Sequence, residues 1–143
     1  MRRAPHSSTI SRLFRALAGP ALLLACTAAL AREVPGYGFE AAAQEVSQLF
    51  WLAETANLCG WATRDDTDSF ERFSVRFLSA HLSERNRLAL VSLVTQGGYQ
   101  QAVHHSAAEG AAENCSSRRW QMGWSSYQAA AHAHESEFVE GAQ

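Results

Sequence analysis

The chain predicts an all-α fold, a small bundle of three or four helices stapled by one disulfide. Three observations lead there. No proline occurs after Pro35, and Ala, Glu, Gln, Leu and Arg are plentiful while β-branched residues are sparse, a composition that favours helix over strand. Apolar residues recur at the three- and four-residue spacing of an amphipathic helix. Cys59 and Cys115 are the two cysteines that remain once the first thirty-one residues are set aside.

Those thirty-one residues read as a secretory leader. Arg2, Arg3, Arg12 and Arg15 precede an apolar run from Leu17 to Leu30, which closes on Ala29-Leu30-Ala31. A charged start, a short apolar middle and a small-residue exit describe a cleavable signal peptide. Gly19-Pro20 breaks the run, and a membrane span takes about 20 predominantly apolar residues. Leu23-Leu24-Ala25-Cys26 has the form of a lipobox, so lipidation at Cys26 is the alternative, and a membrane would be involved only in that case. The expected organisation is a signal peptide over 1–31, a flexible leader over 32–38 carrying Pro35, Gly36 and Gly38, and a single helical domain over 39–143. The expected location is the periplasm or the exterior.

Each helix has its own signals. The first runs from about Phe39 to Leu58, with Phe39, Ala42, Val46, Leu49, Phe50, Ala53 and Ala56 on one stripe, and Cys59-Gly60 ends it through a left-handed glycine. After a polar turn, Asp68-Ser69-Phe70-Glu71 has the form of a capping box and starts a second helix, whose face is Phe70, Phe73, Phe77, Leu78 and His81. Ser83 caps the third, which carries Leu88, Val91, Val94, Tyr99, Ala102 and Val103. Gly97-Gly98 weakens its centre by roughly 1 kcal/mol per glycine relative to alanine, predicting either a break or a close helix contact there. The last helix runs from about Ser116 to Val139 and spaces Trp120, Trp124, Tyr127, Ala131, His134 and Phe138 along a nearly continuous aromatic seam. That seam reads either as one wall of the core or as an exposed docking face; Trp120, Trp124, Tyr127 and Phe138 are then the candidate partner-binding residues.

Charge narrows the possible partners. Four of the twelve arginines lie in the leader, so eight face all fourteen carboxylates beyond it and the net charge there is about −6. Nucleic acid and anionic lipid both require a basic footprint, and neither is expected to bind. The absence of lysine is a compositional feature with no mechanism attached. In an oxidising compartment the two remaining cysteines, 56 positions apart, read as one disulfide. Closing a loop of that length is worth on the order of 4 kcal/mol in the chain-entropy picture. A redox or metal-ligating role lacks a Cys-x-x-Cys motif.

An apolar first helix ending in Leu58-Cys59-Gly60, a later helix with Gly98-Tyr99 and a second cysteine downstream resemble a family of small exported helical proteins of Gram-negative bacteria, itself of unknown function. The similarity covers Leu49 to Cys115. It implies export, the disulfide and a helical bundle, and brings no catalytic residue with it.

Histidines offer the one candidate chemistry. His81, His104, His105, His132 and His134 follow the leader, with Glu109, Glu113, Glu135 and Glu137 nearby. His105 with Glu109 and His132 with Glu135 have spacings that let two ligands face one ion, making His105, Glu109, His132 and His134 the candidates for a metal. No His-Glu-x-x-His string joins them, and solvent-facing histidines on alanine-rich helices are the favoured reading. There is no Gly-x-Ser-x-Gly elbow, no phosphate-cradling glycine loop and no Cys-x-x-Cys-His haem site. Asp65, Asp66 and Asp68 resemble a fragment of a calcium loop without its glycine and closing glutamate, and read as helix-capping carboxylates. The expected function is a small exported binding or accessory protein with a protein partner and no cofactor, not an enzyme. An acid-activated periplasmic chaperone and a metal-binding protein are the alternatives.

Overall fold

The computed structural model describes residues 35–140, with side chains through residue 135. The expected signal peptide, Cys26 and residues 32–34 lie outside the described residues, as does the side chain of Phe138. All described residues belong to one compact unit, Ala31–Gln143.

The described residues form five helices and no strand: α1 (Phe39–Leu58), α2 (Arg64–Ser79), α3 (Glu84–Val94), α4 (Gly97–Asn114) and α5 (Arg118–Glu140). The first helix has the expected bounds. Gly60, at φ +69°, takes the left-handed exit after Cys59. The Gly60 N–H donates to the Asn57 carbonyl at 3.1 Å and the Trp61 N–H to that of Ala56 at 2.9 Å, the paired bonds that satisfy orphan carbonyls at a helix end.

Two starts differ from expectation. The capping box of α2 is Thr63 with Asp66, not Asp68 with Glu71: the Asp66 N–H donates to Thr63 Oγ1 at 3.2 Å and the Thr63 N–H to Asp66 Oδ2 at 3.0 Å. A threonine cap with a carboxylate three residues on satisfies both donors, so the helix begins one turn earlier. Ser83 does cap α3, accepting from the Asn86 N–H at 3.4 Å. The expected third helix is two helices. α3 stops at Thr95, and Gln96 takes an extended backbone before α4 begins at Gly97. A Cβ built on Gly97 or Gly98 meets nothing within 4 Å, so the glycines mark a break and not a close contact. Along this segment Leu90, Val94 and Ala107 are buried, whereas Leu88 is 63% exposed and Ala102 also faces solvent.

The end of the expected flexible leader is tied down. Tyr37 donates its hydroxyl to Glu45 at 2.8 Å and its ring packs against the core.

α1 lies at the centre and touches all four other helices. Ala42, Ala53 and Ala56, fully buried, let neighbours approach closely. Ala42, Val46 and Phe50 pack on Leu78, Leu82, Leu90 and Val94; one turn further on, Leu52, Ala53 and Ala56 pack on Phe70, Phe73, Trp124 and Ala131. α2 thus runs antiparallel to α1. α4 runs parallel to it, since Ser47 and Phe50 meet Tyr99, Glu54 meets His104 and Cys59 bonds Cys115. The disulfide joins the residues that end α1 and α4, with Cα atoms 5.1 Å apart. Among the described residues no helix is long and apolar enough to cross a membrane.

Replacing Cys59 or Cys115 by serine should lower the free energy of unfolding by about 2–5 kcal/mol. Urea denaturation of the oxidised protein and the variant measures it. An unchanged midpoint would mean that packing alone holds α4 against α1.

Candidate functional site

The expected docking seam faces inward. Trp124 is 1% exposed and meets the Phe70 ring edge-on at 5.0 Å, and Ala131 is also buried. Trp120 and Tyr127 are half-buried against the same cluster, with Trp120 edge-on to Trp51 at 5.3 Å. A partner therefore cannot reach Trp124 without opening the bundle, because its ring is part of the core between α1, α2 and α5. Phe138 is outside the described side chains.

The metal candidates are not brought together either. His105 pairs with Glu109 at 3.3 Å on an open face of α4, both well exposed. His134 stacks on Phe73 with ring centroids 6.4 Å apart, and Glu135 pairs with Arg76 across α5 and α2 at 3.2 Å. His132 is exposed. Among the described residues no three His, Cys, Asp or Glu side chains gather where they could hold an ion.

What the fold does assemble is a groove of about 660 Å³ over α1, between α2 and α4, with α3 across one end. Helical periodicity places its lining. Arg64, Asp68, Glu71 and Val75 follow one another at i, i+4, i+7 and i+11 on a single face of α2. Phe50 and Glu54, one turn apart, lie beneath it on α1. Val91 and Val94 on α3 and Val103 on α4 add apolar lining, and Arg72 and Arg76 of α2 also border the groove. Gln100 holds α4 to the end of α3 by donating its amide to the Val94 carbonyl at 3.2 Å.

Glu54 anchors the polar end. Its side chain is 10% exposed, and its carboxylate accepts from Arg64 and, at 2.9 Å, is bonded to His104 Nδ1. Burial raises this carboxyl, but the hydrogen bonds from Arg64 and His104 outweigh it and hold the group below the usual carboxylate range. Glu54 is therefore ionised at neutral pH. One buried charge thus ties α1 to the start of α2 and to α4.

Glu71 has the opposite environment. It is half-buried and has no hydrogen-bond partner among the described residues. Burial, with Glu54 and Asp68 adding to it, pushes its carboxyl up to about 7, against the opposing pull of Arg64 and Arg72. Near neutral pH it exchanges a proton readily, a property concentrated at functional sites. Asp68, more exposed, pairs with Arg64 at 4.0 Å.

Neither glutamate stood out in the sequence. Glu54 sits alone inside the apolar run Leu52-Ala53-Glu54-Thr55-Ala56, which is itself a usable signal, since a carboxylate there requires a partner. Asp68 and Glu71 have in sequence the form of a helix cap.

A carboxyl raised in the folded state stabilises the protein while protonated, so its contribution is present at low pH and is lost as pH rises from 4.5 through about 7. Glu71→Gln should therefore stabilise the protein at pH 8 by about 1–2 kcal/mol, after allowing for solvent screening of a half-exposed group, and leave it nearly unchanged at pH 5. Denaturant melts at the two pH values distinguish this from a simple packing effect, which would appear equally at both.

No protein-family model, characterised protein or solved structure matches the chain, so what the site does rests on its own residues.

Proposed function

We propose that the chain is a small exported helical binding protein whose ligand seats in the groove between α2 and α4. The observation that carries this reading is the combination, in one groove of about 660 Å³, of an apolar wall with a half-buried carboxylate that has no partner among the described residues. Small-molecule sites have volumes of roughly 300–1,000 Å³ and join apolar lining to a few polar groups. The inward-facing Trp124 moves the seat of binding away from the last helix. Export is supported by the charged, apolar and small-residue pattern of residues 1–31 and by the disulfide, a bond that persists in oxidising compartments.

A neutral apolar dye such as Nile red tests the groove. The dye should bind at one site. Val91→Trp should abolish that binding by filling the groove from a position that is 41% exposed and so costs the fold little. Met122→Ala, which removes an exposed apolar side chain on α5 outside the groove lining, should leave it intact. Dye binding that survives Val91→Trp would place the site elsewhere and overturn the reading.

Export has its own measurement. Intact mass of protein recovered outside the cytoplasm should correspond to a chain beginning at Arg32 without lipid. A diacylated chain beginning at Cys26 would overturn soluble export and make the protein a membrane-anchored one.

A further inference from the structure

We propose that the Cys59–Cys115 bond is a redox latch on the corner between α4 and α5. A dithiol that reduces it frees the second half of α4 and the first turn of α5, leaves the rest of the bundle packed, and opens Arg118-Arg119 to a trypsin-like protease. The inference does not rest on the groove being a binding site.

Burial shows how little else holds that corner. The two clusters that form the core take their buried residues from the other four helices and Leu82, and none from α4. Ala107 is the one buried residue of α4. The first half of this helix is tied to α1, because Tyr99 and Val103 pack against the core while Tyr99 and His104 bond Ser47 and Glu54. Beyond His104 the side chains of α4 make no hydrogen bond or ion pair to another helix among the described residues. His105 with Glu109 is a pair within α4 itself. The disulfide is the next side-chain bond to α1, and α5 is anchored again only from Trp120 and Trp124 onward.

The local sequence opposes helix on both sides of the corner. A helix C-terminus favours cations and an N-terminus favours anions. Here α4 ends with Glu113 and no basic residue in its last turn, and α5 opens on Arg118 and Arg119 with no acidic one. Both signs are the unfavourable ones. Gly110 further weakens the second half of α4, and Cys115 closes that helix in right-handed backbone without the glycine exit that α1 has.

The bond is also within reach of a reductant. Cys59 and Cys115 are half-buried, and their neighbours Leu58, Gly60 and Ser116 are exposed. A thiolate of the dithiol attacks one cysteine sulfur, the S–S bond breaks, and the departing cysteine takes up a proton. The second thiol then displaces the other cysteine and closes the dithiol into a cyclic disulfide, so that two electrons and two protons have passed to the protein. Reduction removes one of three contacts between α1 and α4. The bonds of Tyr99 to Ser47 and of His104 to Glu54 keep the two helices paired.

Trypsin reads the corner directly, because the chain has no lysine and no arginine between Arg87 and Arg118. The oxidised protein is compared with protein reduced by dithiothreitol, capped with iodoacetamide and freed of both reagents. Mass spectrometry then gives the initial rate of cleavage after Arg118 or Arg119 relative to that after Arg64, Arg72 and Arg76 on α2. That ratio should rise about tenfold or more on reduction, since a local opening exposes the corner without exposing α2. The Cys59→Ser/Cys115→Ser double variant, which carries no capping group, should show the same rise. An equal acceleration at all these sites would mean that the bond holds the whole bundle, and would overturn the latch. No acceleration at the corner would overturn it as well, by showing that packing alone keeps α4 and α5 in place there.

Discussion

The parallel pairing of α1 with α4 is the constraint on which the rest of the bundle depends. Three contacts hold it along its length. At one end Ser47 and Phe50 meet Tyr99, with the two hydroxyls 3.0 Å apart; in the middle Glu54 bonds His104; at the far end the disulfide joins the residues that close both helices. Parallel helices cannot be neighbours through a short loop, so the chain between them must travel back along α1 before α4 can start. α2 makes that return and α3 turns the chain round. The groove is a consequence: α2 and α4 both lie on α1, and α3 covers only one end of the space between them.

Glu54 is where packing and electrostatics meet. Taking a carboxylate out of water is costly, and the cost is offset only when hydrogen-bond donors and opposite charge replace the lost solvent. Arg64 supplies both at the first residue of α2, and His104 supplies a second contact from α4. Removing either donor would leave a buried charge undercompensated. Arg64 also lies 4.0 Å from Asp68, so one guanidinium faces a buried carboxylate on one side and a more exposed one on the other.

Local signals in the sequence were legible and long-range ones were not. The bounds of α1, its glycine exit, the Ser83 cap and the cysteine pair all follow from residues a few positions apart or from elimination. Two neighbouring strings, Thr63 to Asp66 and Asp68 to Glu71, both have the form of a box, and the contact of Arg64 with Glu54 favours the earlier one as the start of α2. The split at Thr95-Gln96 was one of two outcomes that Gly97-Gly98 allowed. The aromatic seam was correctly placed on one helix face, but whether that face is covered depends on α1 and α2, which periodicity within α5 cannot report. The groove was invisible for a related reason. Its carboxylates come from helices that meet only in space, and the spacing of Arg64, Asp68, Glu71 and Val75 also describes an ordinary solvated face.

Most of this molecule obeys the rules that make small bundles stable: buried alanines on the central helix, side-chain caps on α2 and α3, a glycine exit from α1 and a disulfide between the ends of α1 and α4. Glu71 departs from them. A half-buried carboxylate beside two others lowers stability wherever it is ionised, and glutamine or an aliphatic residue would pack on the same face without that penalty. Folding therefore gives no reason for a carboxylate at this position. Sequences that specify a fold consistently tend to break local rules at functional positions, where the destabilising group is relieved by a ligand. Glu71 meets that description on its own geometry: it lines the groove between α2 and α4 and has no hydrogen-bond partner among the described residues.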